Sequence, residues 1–387
     1  MSGAEVVERV KELAPTIRDR AREAEALRRL PLETVKELKD IGIVRLLQPA
    51  RYGGLEADPR YFYEACLAIG AACGSTGWVA GVVGVHPWQL ALFPDQVQAE
   101  IWGDDPDTWV SSTYMPGGVL ARTPGGFTLN GRWSFSSGCD HCGWVILGCV
   151  ELKGEGEMPR MWNVVIPRSD YEIDDVWDTV GLRGTGSNDI VVKDLFVPDH
   201  RTLDLEAMFS WKSPGLEVNT GPLYKMPFAA MFANAITVAV IAMGEGMVAE
   251  TIEYSKKRVS ATWGKAIEDP YVLAAVGEAA SDVAASRAQL LANIGEMYET
   301  VCAGKELSMD LRTRTRRDQV AGAQRTIAAI DACYDRAGAG AISMASPLQR
   351  LWKDAHTGRH HTIHSIEKSF AGWTLGAMGL PNTDRML

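Results

Sequence analysis

Apolar positions in the first hundred residues recur at helical spacing, and the gaps between them carry turn and cap signals. Residues 5–30 read as one helix, and Pro31 suits the first turn of a second reaching Leu38. Arg51-Tyr-Gly-Gly54 is a turn, and Asp58-Pro59 opens a third helix through Tyr63 and Leu67. Gly74-Ser-Thr76 recaps the chain before an apolar helix from Trp78 to Leu92, and Asp95 caps a short one ending near Trp102. From Trp109 to about Val197 the period changes. Short runs of Val, Ile, Thr and aromatics, parted by Pro-Gly, Gly-Gly and Asn-Gly, predict a β-domain. A Gly- and Pro-bearing loop, 201–227, leads to four long helices near 228–262, 271–303, 311–336 and 347–373. The fold class is α+β, in three parts: a helical domain (1–108), a central β-domain (109–225) and a helical bundle (226–387).

Residues 133–141, Trp-Ser-Phe-Ser-Ser-Gly-Cys-Asp-His, stand out in the β-domain. Trp133 and Phe135 alternate with Ser134 and Ser136, which predicts one aromatic face and one hydroxyl face. Gly138 lets the backbone turn or lie against a flat ligand. On these residues alone, an ordinary wet-faced strand and a seat for an aromatic cofactor both stand. Gly181-Leu-Arg-Gly-Thr-Gly-Ser-Asn188 is followed by a strand rather than a helix, so it reads as a tight turn and not a dinucleotide fingerprint. His356, His360 and His364 share a face of the last predicted helix at i, i+4 and i+8, a stripe suited to solvent or an interface. Arg312, Arg314, Arg316 and Arg317 crowd a helix start, against its dipole, and read as an intersubunit or phosphate contact or a solvated face.

Composition narrows the class. The chain has 387 residues, 46% apolar and 23% charged, as in soluble globular proteins, and a net charge of −10 that argues against nucleic acid. Residues 1–28 lack the apolar core of a signal peptide, which predicts a cytoplasmic protein. Residues 226–243 approach transmembrane length, but Asn234, Thr237 and many alanines favour a buried bundle helix, so no membrane partner is expected. Seven scattered cysteines predict reduced thiols. Cys139-Asp-His-Cys142 has no second pair at zinc spacing, and no metal is expected.

The order helices, β-domain, four-helix bundle resembles the acyl-CoA dehydrogenase fold. The motifs resemble the flavin-dependent aromatic hydroxylases built on it, the oxygenase components of two-component monooxygenases. The similarity rests on Leu46-Leu-Gln-Pro49 with Tyr52-Gly-Gly54, Cys73-Gly-Ser-Thr-Gly-Trp78, Val83-Gly-Val-His86, Ser136-Ser-Gly-Cys-Asp-His141, 181–188, Tyr224-Lys-Met-Pro227 and Asp354-Ala-His-Thr-Gly-Arg359, in order along nearly the whole chain. Where acyl-CoA dehydrogenases carry a Glu-Gly-Thr with the catalytic base, this chain has His360-His361-Thr362, and Glu367 lies too late. A dehydrogenase and a non-catalytic flavin-binding protein remain the alternatives.

The resemblance implies ortho-hydroxylation of a phenol, a steroid-derived one among the options, by reduced flavin and O₂ through a C4a-hydroperoxyflavin. Reduced FMN is the implied cofactor, with FADH2 as the second option. With no nicotinamide fingerprint, a separate NAD(P)H-dependent flavin reductase is implied, and so is a homotetramer. Residue by residue, Ser112 lines the flavin, Ser137 sits beside its N5 and C4a, and Arg258 reaches its phosphate region, often across subunits. His361, favoured over His360, is the implied base on the phenol, with His86 as second donor or anchor. His141 reads equally as a pocket or structural residue, and Trp177 as packing or a ligand wall.

Overall fold

The computed structural model describes residues 1–152, 157–260 and 264–382. Six helices come first: α1 (Gly3–Asp19), α2 (Ala21–Leu27), α3 (Leu32–Ile41), α4 (Pro59–Ala72), α5 (Gly74–Leu90) and α6 (Asp95–Trp102). The expected 5–30 helix is therefore two, parted at Arg20. Helix α1 starts with a capping box, Ser2 and Glu5 each bonding the other's backbone N–H. Every residue of α5 is buried, so it carries no polar face and forms the axis of this part.

Seven strands follow: β1 (Val110–Thr123), β2 (Gly126–Ser136), β3 (Trp144–Glu151), β4 (Arg160–Pro167), β5 (Glu172–Asp174), β6 (Asn188–Pro198) and β7 (Thr202–Asp204). They form one sheet, ordered β5-β6-β2-β1-β3-β4-β7, antiparallel except for β1 with β3. Alternation divides the strands between two cores. Val110, Ile146 and Val165 join the helices, while Val145, Leu147, Val164, Ile166 and Trp133 form a separate core within the β-domain. The Trp133 indole fills a slot that a Cβ on Gly118 or Gly131 would close, at 2.1 and 2.6 Å, and its Nε1–H donates to Gly148 O at 2.7 Å.

A short helix, α7 (Leu205–Phe209), leads to α8 (Phe228–Lys257), α9 (Pro270–Cys302), α10 (Met309–Ala337), α11 (Pro347–Arg359) and α12 (Ile366–Ala377). Among the described residues only α8 is long and apolar enough to cross a membrane, and it is buried against α4, α5, α9, α10 and α11. The helix expected over 347–373 is two. It stops at His360, and a one-turn 3₁₀ segment, 362–364, precedes α12. The expected three-histidine stripe is therefore broken. His356 pairs with Asp331 at 2.8 Å, His360 caps α11, and His364 meets Thr237 at 3.0 Å.

Candidate active site

Three segments meet beside α5: the end of β2, the Gly-rich turn before β6, and the break between α11 and α12. The β2–β6 register slips between Trp133 and Ser136, and Phe135 takes φ +71°. That slip undoes the expected aromatic face. Trp133 stays inside at 1% exposure, whereas Phe135 swings out at 66%, edge-on to Trp177 with centroids 6.1 Å apart. A left-handed aromatic residue stores about 1–3 kcal/mol of strain, the kind of cost that collects at functional sites.

After the slip, Gly138 takes φ +75° and lies so close to α5 that a Cβ would stand 2.9 Å from Val79. Ser137 is thereby set against the helix. Its Oγ receives a hydrogen bond from Trp78 Nε1–H at 3.1 Å and shares one with Ser187 Oγ at 2.7 Å, and Ser187 shares another with Thr185 Oγ1 at 2.6 Å. The Gly-rich turn, read from its glycines as a tight turn, also supplies hydroxyls. It is pinned from the bundle, where Asp354 accepts the Leu182 N–H at 2.6 Å, and a Cβ on Gly181 would meet Lys353 O at 2.2 Å. Burial pushes the Asp354 carboxyl up to about 7, opposed by that N–H and by Arg350.

From Trp78 an aromatic wall runs to His86. Trp78 faces His361 (centroids 6.1 Å), His361 faces Phe232 (6.2 Å), Phe232 meets Tyr114 edge-on (4.7 Å), and Tyr114 meets His86 (6.3 Å). Phe228 stacks on Phe232 at 5.3 Å and closes the wall. Beyond Phe228 lies a cavity lined by Trp88, Met208, Phe209 and Trp211. Ser112 stands on β1 two residues before Tyr114, buried on the same side.

The two histidines present opposite atoms. His86 Nδ1 lies 2.5 Å from Val110 O, an acceptor only, so Nδ1 carries the proton and Nε2 keeps its lone pair, buried with no partner. His361 Nδ1 accepts the Ile363 N–H at 3.2 Å, so its neutral ring carries the proton on Nε2 and offers a donor. Burial pushes both down to about 4, which keeps them neutral near pH 7.

A flat heteroaromatic ring needs an apolar face and hydrogen-bonding groups at its edge, which Phe135, Trp177 and Ser137 offer together; these residues fit a flavin. Family models for the acyl-CoA dehydrogenase N-terminal and C-terminal domains match residues 4–103 and 235–366. The chain is 45% identical over 383 residues to the flavin-dependent monooxygenase oxygenase subunit HsaA of Rhodococcus jostii, covering 98% of this chain and all of that one. It belongs to the flavin-dependent monooxygenases, as an oxygenase component. The crystal structure of 3-HSA hydroxylase from Rhodococcus sp. RHA1 superposes with a TM-score of 0.95 at 45% identity, covering 99% of each chain. The FADH2-dependent resorcinol hydroxylase oxygenase component of a Rhizobium species is 32% identical over 371 residues, 93% of this chain and 90% of that one. Like other oxygenase components, this enzyme uses reduced flavin and O₂ and depends on a separate reductase.

Of the residues expected at this monooxygenase site, the structure gathers Ser112, Ser137, His86 and His361. At His361 the Ile363 N–H takes the Nδ1 lone pair, which leaves the proton on Nε2, while at His86 it is the Nε2 lone pair that has no partner. Arg258 is elsewhere. It follows the last turn of α8, 26 residues beyond Phe232 and so about 39 Å along the axis at 1.5 Å per residue, and it donates to Arg336 O. The four clustered arginines diverge. Arg312 lies over Trp211, Arg314 pairs with Glu296, Arg316 reaches Ile363 O and Ser369, and Arg317 pairs with Asp318 over Trp373. His141 packs against Leu30, away from the aromatic wall, its pKa lowered by burial to about 4. The Trp177 indole donates to Leu182 O at 2.9 Å, and Glu367 is an exposed partner of Ser365.

Trp78, Tyr114, Phe232, Thr185 and Ser187 carried no assigned role in the sequence. The available signal was spacing: Trp78 and His86, eight residues apart, fall within about 80° on one helix.

Proposed function

We propose that the chain hydroxylates a phenol ortho to its hydroxyl. One observation carries the proposal: the unpartnered Nε2 lone pair of His86, buried at one end of an aromatic wall whose other end is Ser137. A phenol lying along Tyr114 and Phe232 hands its O–H to His86 Nε2 as a hydrogen bond, which enriches the ring in electrons. General-base help of this kind is worth about 10²–10⁴-fold. Reduced flavin supplies the chemistry that activates O₂ and delivers an electrophilic oxygen. When bound, its ring would be held by Ser137 and Ser112 and covered by Phe135 and Trp177, with His361 offering a donor from Nε2. Burial of the wall keeps water from the reacting atoms.

The resorcinol hydroxylase relative supports a phenol, and the similarity to 3-HSA hydroxylase keeps a steroid-derived phenol among the options. Where the motifs favoured reduced FMN, the FADH2 dependence of that relative supports FADH2. We further infer a homotetramer: Val259 beside Arg258, and Tyr271 under its partner Arg336, are exposed apolar surface that favours association and would carry Arg258 to a partner's flavin phosphate region. Seven unpaired thiols suit a cytoplasmic location and an NAD(P)H-fed reductase.

The test supplies purified protein with reduced flavin, a phenol and ¹⁸O₂. One ¹⁸O atom in an ortho-hydroxylated product is expected. Flavin oxidation with peroxide alone, across simple and steroid-derived phenols, would overturn the proposal.

A further inference from the structure

The hydroxyls behind Ser137 form a chain whose direction is fixed at its far end. Leu182 O is a carbonyl and only accepts; Thr185 Oγ1 lies 2.8 Å from it and must donate. A hydroxyl has one hydrogen. With that of Thr185 committed, the 2.6 Å contact to Ser187 needs Ser187 as donor. With that of Ser187 committed, the 2.7 Å contact to Ser137 needs Ser137 as donor. Trp78 Nε1–H, a donor only, adds a bond into Ser137 Oγ from the other side. All three hydroxyl residues are buried, at 1%, 3% and 5% exposure for Thr185, Ser187 and Ser137, so bulk water cannot reset the order. Ser137 is left with one spare lone pair and no spare hydrogen.

We propose that this relay makes Ser137 an obligate acceptor toward the flavin, and that Ser187 and Thr185 are positioning residues which select reduced over oxidised flavin. The proposal rests on the reading that places Ser137 at flavin N5. Reduced flavin carries a hydrogen on N5, which meets the spare lone pair of Ser137. Oxidised flavin has a lone pair on N5, and two lone pairs face each other. The site thus favours the form a reductase delivers and releases the form left after turnover, without moving any backbone. Selectivity comes from a hydrogen that Ser137 cannot offer. The anchor is the turn itself: Leu182 is fixed by Asp354, and Leu182 O also takes the Trp177 Nε1–H at 2.9 Å and the Thr185 N–H at 3.1 Å.

Breaking the relay frees the Ser137 hydrogen. Ser187→Ala removes its acceptor. Thr185→Val keeps the side-chain shape but removes the acceptor of Ser187, which can then donate to Ser137 instead. Dissociation constants for FMN and FAD are measured for both redox states, the reduced state anaerobically after dithionite. The preference for reduced flavin is expected to narrow roughly three- to tenfold in each variant, the worth of one hydrogen bond, chiefly because oxidised flavin binds more tightly. Thr185→Ser, which keeps the hydroxyl, retains the wild-type ratio. A deletion that merely loosened the turn would weaken both forms alike, and that result, or an unchanged ratio, overturns the proposal. A wild type that binds both forms equally overturns it too. Failure of the ¹⁸O assay alongside a shifted ratio would instead sink the hydroxylase reading and leave the relay standing.

Discussion

The strand side and the helix side of the pocket handle polar groups in opposite ways. At the end of β2 every hydroxyl hydrogen from Thr185 to Ser137 has an assigned acceptor, and the turn behind them is held by Asp354. On α5, the fully buried His86 keeps one nitrogen satisfied and the other bare. A satisfied network is rigid and presents a fixed polarity, whereas a buried orphan costs about 1–3 kcal/mol that a ligand recovers on binding. On the proposed function the difference divides the labour, with the strand side recognising the cofactor and the helix side accepting the substrate's hydrogen bond.

The largest expected effect tests the bare nitrogen. His86→Ala should lower the single-turnover hydroxylation rate about 10²–10⁴-fold, with reduced-flavin affinity near wild type. His361→Ala should spare more of that rate, because the lost group is a donor. If the two variants swap these outcomes, the assigned tautomers are wrong. Next comes the contrast within β2. Trp133→Ala empties a filled slot between glycines and should cost about 3–5 kcal/mol in urea denaturation. Phe135→Gly removes an exposed ring from a left-handed position and should leave stability equal or higher by up to about 1–3 kcal/mol, the strain released, while flavin affinity falls. Equal destabilisation by both would show that the two aromatics share a face after all.

Those two residues also show what the chain discloses and what it withholds. Alternation at 133–136 announced a strand, and the strand is there, but a one-residue slip against β6 reverses the side Phe135 faces. Such a slip depends on the partner strand and leaves no local mark. Helix α5 hides more, since burial on every side erases the periodicity that would show which face Trp78 and His86 share. The order of helices and strands was legible because motifs carry it, and the same motifs carry Ser137 and His86 as expectations for the site. The tautomer of His361 was not legible, because it follows from a helix break at His360 that places the Ile363 N–H on Nδ1. Thr185 and Ser187 were visible as letters of a turn, but their hydrogen-bond direction needs Leu182 O in place.

Arg258 tests whether the pocket is complete in one chain. It lies about 39 Å along α8 from Phe232, so in the proposed tetramer its contact with flavin would be made across a subunit boundary. Arg258→Ala should weaken reduced-flavin binding about tenfold, the worth of one charge-assisted hydrogen bond, and only in the assembled oligomer. Light scattering alongside the titration separates loss of the contact from loss of assembly.

The smallest effect is a slope. His86, His141, His361 and His364 are held by burial at about 4, 4, 4 and 3, below the ordinary value of 6.5. The unfolded chain therefore binds more protons than the native one below pH 6.5, and these four groups lose stability as pH falls from about 6.5 toward 4. Asp354 acts in the opposite sense. Its native value, about 7 against 3.8, stabilises the fold in acid and loses that contribution as pH rises from 3.8 through 7. Across the shared window the histidines outnumber it, so stability should rise with pH. Asp354→Asn removes the opposing group and should steepen that rise, even though it weakens the Leu182 anchor at every pH. Chemical denaturation at pH 4.5, 5.5 and 6.5 reads the slope directly. An unchanged slope in the variant would mean that Asp354 is ionised in the native state, and that the turn under Ser137 is held by a charge rather than by a neutral acid.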